Sequence, residues 1–521
     1  MSHARERRSP ALVVSTLAVW VAVTLWSLAH FRSVIPATVP VPVAAVLAFL
    51  YLPWSATWLW TIHNFVNQGI SALLAKPTER PLQRSSSAVA VLYTTCDDFD
   101  SHACLSALRQ DHPHLRVIVC DDSHLQSSRD AIDTWVKTEA PEVTVVRRPD
   151  RRGFKAGNLN HAITTAISEE FIVLCDADEA LPRDFVTRVL SELESQSLAF
   201  VQCRHTARLP AQTWLEQALG PAIDVFYRFT LPLRNRFGFA ACFGHGMMLR
   251  RSAWEAVGGF PEIACEDLGF AMRAAAAGLP GQYVSEPAAF ERFPSTYAGL
   301  ASKYRRIVAG TVECFRSCGP VFLGSPHVSL VEKLDFLMTF STCYLPLAVA
   351  INTSGALALA WMQARFAQDQ RLGWLLAFYL IGPLTPVVPL LCQFPADARR
   401  TGRFALVGSI AYASLVPRLA VASLLQTVRP KPVRFVPTGA VSQVPEKLRD
   451  HMWTWLAGIA VIALAAMLKS SILVPAITAG LMFLVGPLLS LVDRTGIPGW
   501  AARHSALVPY CALAILWWKF P

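Results

Sequence analysis

FIVLCDADE, residues 171–179, decides how this chain is read. Its apolar run from Phe171 to Leu174 has the pattern of a buried strand, and it ends abruptly in Asp176-Ala177-Asp178. Side chains alternate along an extended chain, so carboxylates flanking a single residue can converge on one ion at the strand's C-terminal edge. Hard oxygen ligands of this kind suit Mg²⁺ or Mn²⁺. A loop with two solvated aspartates is the bland alternative.

The residues upstream favour the first reading. Between 85 and 200, short β-branched runs alternate with amphipathic stretches. Strands are expected at 89–94, 116–120, 143–147 and 171–175, with helices near 101–110 and 127–138. Such alternation predicts an α/β, Rossmann-like domain built on a parallel sheet with crossover helices. Ligands of such sheets sit beyond the C-terminal strand ends. Acidic residues cluster there: Asp97 and Asp98 after the first strand, Asp121 and Asp122 after the second, then Asp176 and Asp178. Surface solubility explains three such clusters poorly, and convergence on one site explains them well.

Two further segments carry chemistry. In residues 153–160 (GFKAGNLN), Lys155 offers a cation to phosphate and Gly157 permits close backbone approach. The plain alternative is a glycine-containing turn leading into a helix at 161–167. Glu266-Asp267 opens a predicted helix, where acidic residues often only complement the helix dipole or cap it. The chemical alternative is a general base for a hydroxyl nucleophile.

The rest of the chain is strongly apolar. It has 521 residues, 53% of them hydrophobic and 16% charged, with a mean hydropathy of +0.37. Stretches at 10–31, 35–62, 336–366, 372–394, 452–468, 471–492 and 506–520 approach the roughly 20 residues that cross a bilayer. The first lacks a small-residue cleavage site and reads as a retained anchor rather than a signal peptide. Arg5, Arg7 and Arg8 precede it, which places the N-terminus and the region from 64 to 330 in the cytoplasm. Residues 404–428 would, as a span, put Arg429, Lys431, Arg434, Lys447 and Arg449 outside; they are read as an interfacial helix pair broken at Pro417. About seven spans result. Residues 211–229, apolar with Glu216 and Asp224 interspersed, predict an amphipathic helix on the membrane face or beneath a channel entrance.

The net charge of +10 is mostly this membrane bias. Basic residues are scattered without a binding motif, so a nucleic-acid partner is not expected. The 12 cysteines show no C-x-x-C spacing, which argues for reduced thiols and against a zinc site. Trp54, Trp58, Trp60, Trp453, Trp455, Trp500, Trp517 and Trp518 lie near span ends, as interfacial belts do. Stacking along a sugar channel is their alternative role.

Taken in order, Asp97/Asp98, Asp121/Asp122, residues 155–160, Asp176-x-Asp178 and Glu266-Asp267 resemble the family-2 inverting glycosyltransferases. More narrowly, they are similar to the membrane-embedded cellulose-synthase-like branch. The resemblance implies a GT-A-type domain that binds a nucleotide-diphospho-sugar donor, with a glycan or glycolipid acceptor. It implies donor contacts from Asp97, Asp98, Asp122 and Lys155, a Mg²⁺ or Mn²⁺ on Asp178 with Asp176 close to the sugar, and Asp267, beside Glu266, as catalytic base. Lys303-Tyr304-Arg305-Arg306-Ile307 resembles the Q-x-x-R-W motif, with Arg306 at the arginine and Gly310 at a following glycine. Lys303 stands for the glutamine and Ile307 for the tryptophan that holds the acceptor sugar. Residues 433–439 resemble an F-x-V-T-x-K gating loop at Phe435 and Thr438, without its lysine. His245, in Phe243-Gly244-His245-Gly246, sits where the family has an acceptor-side loop; a structural histidine is the equal alternative.

The expected organisation is a transmembrane pair at 1–63, a cytosolic transferase domain at 64–330 and a second membrane region at 331–521 with a gating-type loop near 429–450. The expected function is synthesis or extension of a polysaccharide from a UDP-sugar at the cytoplasmic face of an inner or plasma membrane, with export or envelope proteins as candidate partners. Addition of a single sugar to a lipid is the second reading, and a non-catalytic polysaccharide channel or scaffold the third.

Overall fold

The computed structural model describes residues 9–34, 41–73, 85–208, 211, 213–361, 398–433, 448–468, 474–495 and scattered positions between 507 and 515. A seven-stranded sheet of order β3-β2-β1-β4-β6-β5-β7 forms its centre. The strands are β1 (Val89–Thr95), β2 (Leu115–Asp121), β3 (Thr144–Val146), β4 (Phe171–Asp176), β5 (Phe200–Ala207), β6 (Met247–Arg250) and β7 (Gly281–Glu291).

Alternation along these strands builds two cores. Ala90, Leu92, Ile118, Ile172 and Leu174 face one way, against Leu159, Ile163, Phe270 and Phe322. Val89, Val91, Tyr93, Val117, Val173 and Cys175 face the other, against Ile132, Phe185, Val189 and Leu193. Burial on both faces explains why these strands read as continuous apolar runs. Each fully buried aliphatic or aromatic side chain contributes roughly 1.5–3 kcal/mol of transfer free energy.

Register then aligns the acidic ends. Thr94 of β1 pairs with Cys120 of β2 and Asp176 of β4, and Thr95 pairs with Asp121. The carboxylates that follow these strands are therefore delivered to one edge. The expected strands and the helices Ser101–Leu108 and Gln126–Glu139 are present.

The expectation of a parallel sheet is corrected. The sheet is mixed, because β6 runs antiparallel to both β4 and β5. This four-residue strand is reached from β5 through helical residues 214–237 and a glycine-containing loop at 238–246, and it enters the sheet between β4 and β5 in the opposite direction. The plain alternative for residues 153–160, a turn leading into a helix at 161, is not what forms: the helix already starts at Phe154 and runs to Ala166, with left-handed Gly153 (φ 71°) at its N-cap.

Among the described residues, four helical stretches are long and apolar enough to cross a membrane: Ala11–Ala29, Val41–Asn67, Leu330–Gly355 and Arg399–Val428. Shorter apolar helices cover His451–Leu464 and Ala479–Leu488. The stretch at 372–394 and most of 506–520 lie outside the described residues. The interfacial pair expected at 404–428 is instead one continuous helix, Ala398–Val428, with Pro417 inside it. Proline removes one backbone donor but its φ is helical, so packing on both sides can carry a helix through it. The packing is present: 56% of the central window is buried, against 22–28% in the other three. Val407, Ile410, Leu415 and Leu419 pack with Met482 and Val485.

Residues 214–237 also depart from a single surface helix. They form helices Trp214–Leu219 and Pro221–Val225, a π-helical turn Phe226–Thr230 and helix Leu231–Phe237. Leu215, Leu219, Ile223, Tyr227 and Phe229 are buried in the same cluster as Ile410 and Leu415. Glu216 and Asp224 are buried too, and Asp224 pairs with Arg228 at 3.3 Å and Arg400 at 3.6 Å. The segment is therefore sandwiched beneath the Ala398–Val428 helix rather than laid on a surface.

Candidate active site

The D-x-D residues sit where β4 ends. Asp176 accepts hydrogen bonds from Thr94 Oγ1 at 2.8 Å and Lys155 Nζ at 2.5 Å. Burial pushes its carboxyl up, but the Lys155 ammonium and His245 bring it below the usual range. Asp178 behaves oppositely: burial, then the like charges of Asp176 and Glu291, raise it to about 7. An enclosed carboxylate crowded by others is best relieved by a cation. The donor set is hard oxygen, so Asp178 and its neighbour fit a divalent ion of the Mg²⁺ or Mn²⁺ class. In this structure Asp176 spends one oxygen on Lys155, which leaves Asp178 the freer of the two.

Lys155 is the hub. The helix start at Phe154 aims it inward, where it also donates to the Gly244 carbonyl at 2.9 Å. Burial alone would discharge this amine; Asp176, Glu266 and Asp267 together keep it protonated. One ammonium thus faces both the D-x-D residue and the Glu266-Asp267 pair. That pair opens helix Glu266–Ala276, whose N-cap Cys265 makes no side-chain cap. Asp267 Oδ1 accepts only the adjacent Leu268 N–H, at 2.7 Å. Capping therefore does not account for the pair. Burial raises both carboxyls, with Asp267 next among the causes for Glu266, which lies at about 7. Gly244 (φ +75°) passes so close that a Cβ there would stand 3.2 Å from Asp267 Oδ2 and 3.4 Å from Lys155 Nζ.

The other acidic ends are arranged less evenly. Asp97, at φ 62°, accepts the backbone amides of His124 and Leu125 and the His124 ring, each at 2.9 Å. Asp98 accepts Thr95 Oγ1 at 3.0 Å and Cys96 N at 2.7 Å; burial, then Asp176 and Asp97, raises it to about 6. Asp121 and Asp122 are engaged by arginines: Arg147 Nε lies 2.6 Å from Asp121, and Arg148 grips Asp122 bidentately at 2.9 and 2.6 Å. Sequence reasoning missed these arginines. The basic run Arg147–Arg152 directly after β3 was the available signal, since it needs acidic partners to be buried.

His245 lies beside the D-x-D loop rather than alone on an acceptor surface. Its Nδ1 is 3.0 Å from His205 Nε2 and 3.5 Å from Glu179 Oε1. Burial opposes its charge, but Glu179 and Glu291 raise it to about 10. Glu179, His205 and Glu291 were not anticipated. Glu179 directly follows the D-x-D, and His205 and Glu291 end β5 and β7 at the same edge, so strand-end position was the missed signal. Among the described residues, two clusters bring three ligand-type atoms within 4.8 Å: Glu179/His205/His245 and Cys96/Asp97/His124. Neither contains Asp178.

Glycine is obligatory within this knot. Gly246 (φ +52°) would place a Cβ 2.2 Å from His205 Nε2 and 2.5 Å from Glu179 Oε1. Gly246→Ala is expected to destabilise the fold by about 2 kcal/mol or more, read as a lower melting temperature in detergent.

Arg306, expected on the acceptor side, lies on helix Tyr297–Gly324, and its charge acts on Asp267. Gly310 lets this helix approach the start of helix Glu266–Ala276, since a Cβ there would meet Cys265 Sγ at 2.8 Å. Ile307 is 40% exposed. Phe435 and Thr438 lie outside the described residues. The described cysteines are all free thiols.

Comparisons with known proteins give the family. The family model "Glycosyl transferase family group 2" matches residues 171–519. A probable glucomannan 4-beta-mannosyltransferase of Arabidopsis thaliana is 24% identical over 253 residues, covering 46% of this chain and 45% of the relative. A UDP-forming cellulose synthase catalytic subunit of Komagataeibacter xylinus is 30% identical over 231 residues, covering 42% and 30%. The chain thus spans less than half the length of these relatives. A solved mannosyltransferase of Pyrobaculum calidifontis superposes over 74% of this chain and 99% of its own, at 18% identity and a TM-score of 0.49. With a GT-A-like mixed sheet, acidic strand ends and a match over two thirds of its length, the chain belongs to glycosyl transferase family group 2, in the cellulose-synthase-like branch.

Proposed function

We propose that the protein is an inverting transferase that moves a sugar from a nucleotide diphosphate, of the UDP type, to a growing polysaccharide at the cytoplasmic face of a membrane. The observation that carries this reading is the single Lys155 ammonium shared by Asp176 and the Glu266-Asp267 pair. It places a donor-side carboxylate and a candidate base on either side of one cation.

In this mechanism the acceptor hydroxyl gives its proton to Asp267, and its oxygen attacks the anomeric carbon. The bond to the diphosphate oxygen breaks on the opposite face, so the configuration inverts. Asp178, with Asp176 beside it, would hold Mg²⁺ or Mn²⁺, which supplies charge neutralisation at the departing diphosphate. Lys155 adds a second positive charge there. Burial keeps the proton affinity of Asp267 high. Asp97, Asp98 and Asp122 would line the nucleoside end, with Asp122 held in place by Arg148. Segments 1–63 and 331–521 would form the membrane part around a cytosolic domain at 64–330.

The names of the relatives, glucomannan mannosyltransferase and cellulose synthase, support a polysaccharide product. A second reading, transfer of one sugar to a lipid, is favoured by exposed Ile307 at the position of the family's acceptor tryptophan. It is also favoured by a relative named beta-monoglucosyldiacylglycerol synthase, from Synechocystis, 24% identical over 237 residues. Purified protein offered radiolabelled UDP-glucose, UDP-N-acetylglucosamine and GDP-mannose with Mg²⁺ or Mn²⁺ separates them. A polymer supports the first reading, and a single-sugar glycolipid replaces it with the second. Absence of any transfer or donor hydrolysis would leave a non-catalytic channel.

A further inference from the structure

Lys303 stands where the family has glutamine, and the structure gives it a partner. From helix Tyr297–Gly324 its ammonium reaches 3.6 Å from Glu291 Oε1 and lies 5.2 Å from the centre of the Phe293 ring. The Glu291 side chain is only 9% exposed. Its Oε2 is buried without a hydrogen bond, 3.7 Å from His245 Nε2. Across the His245 ring, Nδ1 meets His205 and Glu179. Glu179 in turn accepts the backbone amides of Gly246 at 3.0 Å and Asp176 at 3.3 Å. An uninterrupted chain of charged groups therefore runs from the acceptor-side helix to the backbone of the D-x-D loop. Its members are largely shielded from water, where each is expensive to leave unpaired.

We propose that Lys303 and Glu291 are positioning residues for donor binding, setting the D-x-D loop through His245 and Glu179. The inference rests on the transferase reading above. Lys303 holds Glu291 against His245, and His245 fixes Glu179, which sets where the Asp176 amide and hence Asp178 stand. A residue on the acceptor helix thereby sets metal-dependent affinity for the nucleotide.

The test is binding of a UDP-sugar with Mn²⁺ to the full-length protein in detergent, alongside its turnover. Lys303→Met is expected to weaken donor binding about tenfold, and Lys303→Arg, which keeps the charge, to restore it. Glu291→Gln is expected to weaken binding by a similar factor, and the double variant to lose no more than either single one. Unchanged melting of the Arg variant shows that the site tolerates substitution. The inference is overturned if Lys303→Met binds donor like the wild type, or if the two losses simply multiply. It is also overturned if Glu291→Gln binds as well as or better than wild type, since that would mean Lys303 meets the diphosphate directly. Failure of the wild type itself to bind any of the three donors would instead overturn the transferase reading.

Discussion

Asp267→Asn is expected to lower the rate of sugar transfer roughly a thousandfold, within the range that a positioned general base contributes. Donor affinity should survive, because the asparagine keeps the shape and the Leu268 amide contact while Asp178, the proposed metal ligand, is untouched. Single-turnover kinetics with a donor titration separate the two effects. The pH profile gives an independent check. Burial raises both carboxyls of the Glu266-Asp267 pair, so the acid limb of kcat should lie above the usual carboxylate value of about 4. The sign follows from the role: a base works deprotonated, so the rate should drop about tenfold per pH unit below that limb. Normal turnover by the variant would remove Asp267 as the base. An acid limb near 4 would show that the pair is not crowded during the reaction.

Asp178→Asn is the second large effect. If Asp178 anchors the ion, the variant should lose metal-dependent donor binding by at least about a hundredfold, with turnover falling in step. Stability should move the other way. The folded-state pKa of Asp178 lies at about 7, above its ordinary 3.8, so its ionisation opposes folding as pH rises between those values. In chelator, the asparagine variant should therefore melt higher than wild type at pH 8, with the gap closing toward pH 4. Added Mn²⁺ should raise the wild-type melting temperature and leave the variant unchanged. A variant that binds donor normally would move the metal site elsewhere, and the Glu179/His205/His245 cluster would be the place to look.

Much of this site was readable from local pattern. Val89, Val91, Leu92, Ile172 and Leu174 belong to strands covered on both faces, so they appear as apolar runs that end where the acidic residues begin. Parallel pairing then brings those ends to one edge with little further information. The partners of the carboxylates were not readable. The basic run after β3 and the strand-end position of His205 signal buried partners, but which carboxylate each meets is decided only across the sheet, where Arg148 reaches Asp122 and His205 reaches Glu179. Residues 404–428 show the same limit. Charge counting and Pro417 argued for a break, yet packing against neighbouring helices carries the helix through.

Local sequence by itself determined the β1, β2 and β4 strands, their acidic ends, the Glu266-Asp267 helix start and the apolar character of the flanking regions. These depend on side-chain periodicity and hydropathy, which act over a few residues. The tertiary structure alone decided which carboxylates stay charged, that Lys155 joins Asp176 to the Glu266-Asp267 pair, that β6 reverses direction, and that Lys303 reaches the D-x-D loop through Glu291 and His245. Charge states and ion pairs depend on burial and on partners distant in sequence, and only the folded chain brings those within a few ångströms.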